Sequence, residues 1–227
     1  MAETRPSHAG LPLLASLLAF LSGFVDTAAF IHMQGLFVAH VTGNFVLLGA
    51  ALASGGTVAG KGPEVLQLAA LPVFVVAAML TGALALRLTA ERGLAVILWS
   101  AALLMIAVGA VSAILGPGPW DGLSAMVLIA AMGMLNAAHR LNPAMGPPFA
   151  VMTGNVAALA IRLGQLLHLA PAPAEGTGGG AAEAKMLRAV TGFALGCAAG
   201  ALAQVWLGLA AVAIPAVLVA LRLAWRG

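Results

Sequence analysis

Charge is what this sequence has least of. Asp, Glu, Lys and Arg make up 7% of its 227 residues, against 62% hydrophobic. A soluble domain carries about 25% charged residues because its surface has to face water. Ten basic and seven acidic side chains cannot coat a core of this size, which excludes a water-soluble globular protein. Strand-like alternation is missing as well, and with it the β-barrel. The apolar residues come instead in continuous runs rich in Leu, Ala, Val and Gly. In lipid every backbone polar group must be paired internally, so such runs span as helices.

Other absences narrow the function. The single cysteine, Cys197, lies inside an apolar run, cannot form an intrachain disulfide and reads as packing. There is no His-Glu-x-x-His, Gly-x-Ser-x-Gly or P-loop, and no acidic or cysteine cluster joins His32 and His40, so neither metal nor cofactor is implied. Intramembrane aspartyl chemistry needs paired carboxylates, and Asp26 stands alone among the apolar runs; an enzyme is not expected. The net charge of +3 comes from basic residues scattered between those runs. That pattern sets orientation in a membrane and is not a nucleic-acid surface, so the partners expected are the lipid bilayer and a small solute.

Eight apolar stretches are present: Leu11–Met33, Val38–Ala53, Val65–Leu86, Leu94–Leu115, Gly122–Ala138, Phe149–Leu167, Met186–Trp206 and Gly208–Trp225. A helix needs about 20 residues to cross the hydrocarbon, and the second and fifth stretches are short. Leu11–Phe20 resembles the apolar part of a signal peptide, but no small-x-small cleavage site follows closely. Gly116-Pro117-Gly118-Pro119-Trp120 is a hard turn near the middle, and Ala170–Ala182 reads as a flexible linker.

The chain repeats itself across the middle turn. Gly23-Phe24-Val25-Asp26-Thr27-Ala28 resembles Gly133-Met134-Leu135-Asn136-Ala137-Ala138. Phe37-Val38-Ala39-His40-Val41-Thr42-Gly43-Asn44 resembles Phe149-Ala150-Val151-Met152-Thr153-Gly154-Asn155, and Gly82-Ala83-Leu84-Ala85 matches Gly200-Ala201-Leu202-Ala203. The offsets, 133 − 23 = 110, 153 − 42 = 111 and 200 − 82 = 118, stay in order and differ by loop length. Residues 1–115 and 116–227 are therefore two copies of one four-segment unit.

The Gly-x-x-Asp segment followed by Phe-Val-x-His-x-Thr-Gly-Asn resembles the signature of the YoaK family, uncharacterised bacterial multi-pass membrane proteins, and Gly-x-x-Asn followed by Thr-Gly-Asn fits that family's second half. The resemblance spans essentially the whole chain. It implies a bacterial inner (plasma) membrane location and carries no substrate or mechanism.

Gln34-Gly35 in the first copy, and Asn142-Pro143 with Gly146-Pro147-Pro148 in the second, oppose helix until just before each Thr-Gly-Asn. Thr42 and Thr153 suit the N-cap position. A helix from Thr42 to near Ser54 spans roughly 20 Å, too short to cross alone. If all eight stretches cross, the basic residues divide six to three between the faces. If the two Thr-Gly-Asn segments re-enter, they divide eight to one, setting Arg162 aside. The positive-inside rule favours the second arrangement, with both termini cytoplasmic. The expected fold is an all-α integral membrane protein of two inverted repeats, each with three transmembrane helices and a re-entrant half-helix; eight full crossings in parallel repeats is the alternative.

Candidate pathway residues follow. Asp26 is costly in lipid and is a proton, cation or substrate contact, or a hydrogen-bond partner of a half-helix N-terminus. Its counterpart is the neutral Asn136. Thr42 and Thr153 cap, Asn44 and Asn155 can line a path as donor and acceptor, and His40 is a polar lining residue. Arg162 either reaches the cytoplasmic interface or faces an anion in the path. Gly192, Gly196 and Gly200 share a helix face for close packing within the protomer or across a homodimer. The function expected is a small-solute transporter or channel with a midplane site between the half-helices; the alternative is an accessory or assembly protein that transports nothing. A polar cavity at the centre favours the first, a fully packed centre the second.

Overall fold

The computed structural model describes residues 11–54, 64–145, 147–149, 152–171 and 180–225. Within them the chain forms eight α-helices, and no strand is present among the described residues. They are α1 (Leu11–His32), α2 (Gly43–Ser54), α3 (Glu64–Ala85), α4 (Ala90–Leu115), α5 (Asp121–Leu141), α6 (Met152–Leu166), α7 (Gly180–Leu207) and α8 (Ala213–Ala224). Short 3-10 turns stand at Pro143–Met145 and Gly208–Val212. Five described segments are long and apolar enough to cross a bilayer: Leu13–His32, Val65–Ala85, Ala90–Leu115, Asp121–Leu141 and Gly180–Ala224. The last is 45 residues long and is broken at Gly208, whose φ of +58° ends α7 in the left-handed conformation that glycine adopts freely.

Length separates the helices into two kinds. At 1.5 Å per residue, α1, α3, α4, α5 and α7 run about 32–42 Å, enough for a hydrocarbon core of about 30 Å. The 12 residues of α2, 15 of α6 and 12 of α8 reach only about 18, 22 and 18 Å. α8 is extended at its start by the 3-10 turn Gly208–Val212 within the apolar segment Gly180–Ala224, whereas α2 and α6 each follow a non-helical approach. Ahead of α2, α1 stops in a reversing turn in which Gln34 takes a φ of 56° and the Gly35 N–H reaches back to the Phe30 carbonyl at 2.9 Å.

The bundle is held by close approach of small residues. Gly192, Gly196 and Gly200 of α7 lie in that order against the backbone at Ser16, Phe20 and Phe24 of α1, so the two helices run parallel. A Cβ on Gly196 or Gly200 would overlap the carbonyl oxygen it faces. Of the two contacts open to this glycine face, the structure shows the one within the protomer, against α1. α3 and α5 also run parallel, with Gly122 facing Leu66 and Gly133 facing Phe74 and Ala77. Gly23 of α1 lies on the Phe193 carbonyl of α7, and Gly133 of α5 lies on the Phe74 carbonyl of α3. α2 backs onto α3 as α6 backs onto α7.

Three contacts relate the helix ends. His32, closing α1, lies 3.2 Å from Asp121 at the start of α5. Gln67, in the first turn of α3, donates to the Gly35 carbonyl just past α1 at 2.6 Å. Gly109, late in α4, faces Ala210 and Ala213 where α8 begins. Large side chains such as Leu52, Met79, Leu80, Leu202 and Trp206 stay exposed around the outside, as a lipid-facing surface requires.

Candidate functional site

The approach to α2 is built around one carboxylate. Residues 37–40 are not helical, so their amides have no intrahelical partner. Asp26, on α1 and only 4% exposed, supplies it: Oδ1 accepts the Val38 and Ala39 N–H groups, each at 2.7 Å. Oδ2 lies 2.7 Å from His40 Nδ1. The first amides of α2 are satisfied differently. Gly43, Asn44 and Phe45 donate to the carbonyls of His40, Val41 and Thr42 in i→i+3 turns. Asp26 therefore meets the chain a few residues ahead of the Thr42–Asn44 turn, where donors are open, instead of at the turn itself.

The two Thr-Gly-Asn asparagines are clamps. Asn44 is fully buried; its Oδ1 accepts from Phe37 N and its Nδ2 donates to Phe37 O, both at 2.9 Å. Asn155 donates to the Pro148 carbonyl at 2.9 Å, the same seven residues back. Each amide holds its own approach segment, and neither is among the residues lining the cavity between these elements. Thr42 directly precedes α2, at the cap position; Thr153 falls one residue inside α6, and residue 151 lies outside the described residues.

These elements line a partly open cavity of ≈ 610 Å³. Asp26, His40, Thr42 and Thr153 all line it, so the starts of both short helices reach one space. Asn136 does not join them: its Nδ2 bonds the Met132 carbonyl within α5. Arg162 stands apart too, its Nε paired by charge with Glu183 Oε1 in the first turn of α7 without hydrogen-bond geometry, and its Nη1 3.3 Å from Gln165. Of the two readings of Arg162, its partner among the described residues is a glutamate at a helix start and not the cavity.

Sequence reasoning missed the apolar walls, Phe30, Phe37, Met152 and Phe193, together with Thr27 and Cys197. Phe30 lies one helical turn beyond Asp26, and Phe193 and Cys197 each follow a glycine of the α7 stripe, so helical spacing carried the signal once α7 is known to pack on α1. The Phe30 and Phe37 rings stand 4.7 Å apart, and Phe193 meets the His40 ring edge-on at 5.3 Å.

No curated protein and no solved structure matches this chain. The profile of a family described as "Protein of unknown function (DUF1275)", which includes the YoaK proteins, matches residues 14–225. On that match, over nearly its whole length, the chain belongs to this family of uncharacterised, apolar, multi-pass helical membrane proteins.

Proposed function

We propose that the chain is a small-solute transporter or channel of the bacterial inner membrane, built from inverted repeats 1–115 and 116–227. Each repeat has three crossings and one re-entrant half-helix, and the solute site lies between the half-helices. One observation carries this reading: a single cavity of ≈ 610 Å³ receives the starts of α2 and α6 beside the Asp26–His40 pair. A protein with only an assembly role has no need of a cavity with a buried carboxylate on its wall.

Parity supports six crossings. With α2 re-entrant, two crossings separate the end of α1 from the start of α5, and His32 and Asp121 belong on one face, as their 3.2 Å contact requires. Eight crossings would put three between them and set them on opposite faces. The Gln67–Gly35 and Gly109–Ala213 contacts follow the same parity. In this arrangement six of the seven described Lys and Arg residues, Arg87, Arg92, Arg140, Lys185, Arg188 and Arg222, fall where α3, α5 and α8 finish and α4 and α7 begin; the seventh, Arg162, is late in α6 and pairs with Glu183 in the first turn of α7. The positive-inside rule makes that face, and both termini, cytoplasmic. Arg5, Lys61 and Arg226 lie outside the described residues. Inverted repeats with broken helices meeting at the midplane are a common transporter plan.

The test is a solute-uptake screen in proteoliposomes, run with and without an imposed proton gradient. Uptake above protein-free vesicles is expected for at least one solute class, and it should fall when Thr42 or Thr153 is replaced by Phe to fill the cavity. Uptake indifferent to both replacements would sink the cavity as the path.

A further inference from the structure

Among the described residues Asp26 is the one acidic side chain lining the cavity, and no Lys or Arg lines it. The other titratable groups facing it are His40 on the approach segment and Cys197 on α7; α6 presents Met152 and Thr153, which do not titrate. The two carboxylate oxygens are not equivalent. Oδ1 is engaged by two backbone amides and belongs to the fold. Oδ2 is held by a side chain alone, His40 Nδ1 at 2.7 Å.

From this geometry we infer that the cavity binds a small organic cation, an ammonium group on an apolar body, and that this cation and a proton on His40 exclude one another at Asp26 Oδ2. The inference rests on the cavity being the solute site and specifies the solute's charge. An anion is disfavoured twice over: the buried carboxylate repels it, and the first amides of α2, the usual anion donors at a helix start, are turned onto the carbonyls of residues 40–42. The walls suit a cation. Phe30, Phe37 and Phe193 offer aromatic faces and Met152 a polarisable sulfur. The volume of ≈ 610 Å³ lies within the range of small-molecule sites, about 300–1,000 Å³.

His40 already occupies the cation's place, between Oδ2 and the Phe193 ring. A neutral imidazole can rotate away and leave the carboxylate to the ligand ammonium. An imidazolium cannot share that space without like-charge repulsion in a poorly screened interior. Cation entry therefore drives one ring proton off to water, and protonation drives the cation out: one positive charge arrives as one leaves. In a membrane this coupling is cation–proton exchange.

Binding is tested on the full chain in lipid nanodiscs by calorimetry, with benzyltrimethylammonium as probe, its uncharged carbon isostere neopentylbenzene and the anion benzoate as comparators. Benzyltrimethylammonium should bind roughly tenfold or more tighter at the alkaline end of a pH series than at its acid end, with proton release to an indicator dye over the pH range in which the affinity changes. Neopentylbenzene and benzoate should bind more weakly. Asp26→Asn should abolish cation binding; His40→Gln, which keeps a donor for Oδ2, should retain it and lose the pH dependence. Tighter benzoate binding, undiminished binding by Asp26→Asn, or pH-independent binding by the unaltered chain would each overturn the proposal, the first and last without any variant that has to fold. Uptake of an uncharged or anionic solute in the vesicle screen would remove the cation site and leave the transport reading standing. Cation binding without any uptake would do the reverse.

Discussion

The amide of Asn44 is buried and places both polar atoms on one residue, Phe37, each at 2.9 Å. Asn44→Ala leaves the part-buried Phe37 N–H and C=O without their partner, at a cost of up to about 1–3 kcal/mol for each stranded group. Asn155 makes one such backbone bond, to Pro148. Melting in detergent should therefore fall further for Asn44→Ala than for Asn155→Ala; equal shifts would mean the first clamp is not what holds the approach to α2. Asp26→Asn is expected to behave differently. Its remaining oxygen can still accept from Val38 and Ala39, and Asn already stands at the equivalent position 136, so the variant should fold and stay monodisperse. If transport is proton-coupled, the coupling should vanish, read as uptake across a pH series. Full pH-driven uptake by the variant would leave Asp26 a hydrogen-bonding residue only. At this scale the sequence singled out Asp26, His40 and both threonines, which the fold brings to one cavity. The asparagines bond their own approach segments, because whether an amide faces a cavity or its own backbone depends on loop conformation that residue type does not specify.

Helix contacts here rest on missing side chains. In lipid no hydrophobic force separates helix from solvent, so pairing depends on backbones coming close enough for dispersion, and α1 and α7 do so along Gly192, Gly196 and Gly200. The repeat-equivalent of Gly200 is Gly82 on α3, where an added Cβ would meet nothing within 4 Å. The two positions should respond oppositely. Gly196→Leu and Gly200→Leu drive a side chain into the Phe20 and Phe24 carbonyls and should lower stability by about 3 kcal/mol or prevent α1–α7 pairing. Gly82→Leu fills open space and should hold stability level or raise it by up to about 1 kcal/mol through helix propensity. The readout is melting in one detergent, compared across the three variants; an unshifted Gly196→Leu would place that face against lipid. The glycine stripe was plain in the sequence. Which helix it meets was not, because a small-residue face is complementary to any backbone that can approach it.

Side and direction belong to the molecule as a whole. Single cysteines at Lys61 and Arg92, in a Cys197→Ala background, test the faces with an impermeant maleimide. Six crossings expose Lys61→Cys from outside and Arg92→Cys from the cytoplasm. Eight crossings reverse both, so external labelling of Arg92→Cys would sink the inverted arrangement. A second check uses the parity contact. His32→Cys and Asp121→Cys should be joined by a short bismaleimide, since the native side chains lie 3.2 Å apart. Eight crossings would hold them about 30 Å apart across the bilayer.

The sequence alone determined that the chain lives in lipid, because a composition of 7% charged and 62% hydrophobic residues admits no other solvent. It also located all eight helices, although the starts of α2, α7 and α8 (Gly43, Gly180 and Ala213) stand five or six residues from those of the apolar stretches: hydrophobic run length and Pro and Gly punctuation act locally and need no partner to be read. The shortness of α2 was visible in the same way, from Gly35 upstream and the span to Ser54. Only the tertiary structure decided what each polar group faces. Asp26 and His40 lie 14 residues apart in the chain, yet they meet Thr153 and Phe193 of the other half in one cavity. Such contacts depend on how helices pair in three dimensions, and in an apolar chain many pairings present similar surfaces. Close glycine contacts and a buried carboxylate in need of donors select among them.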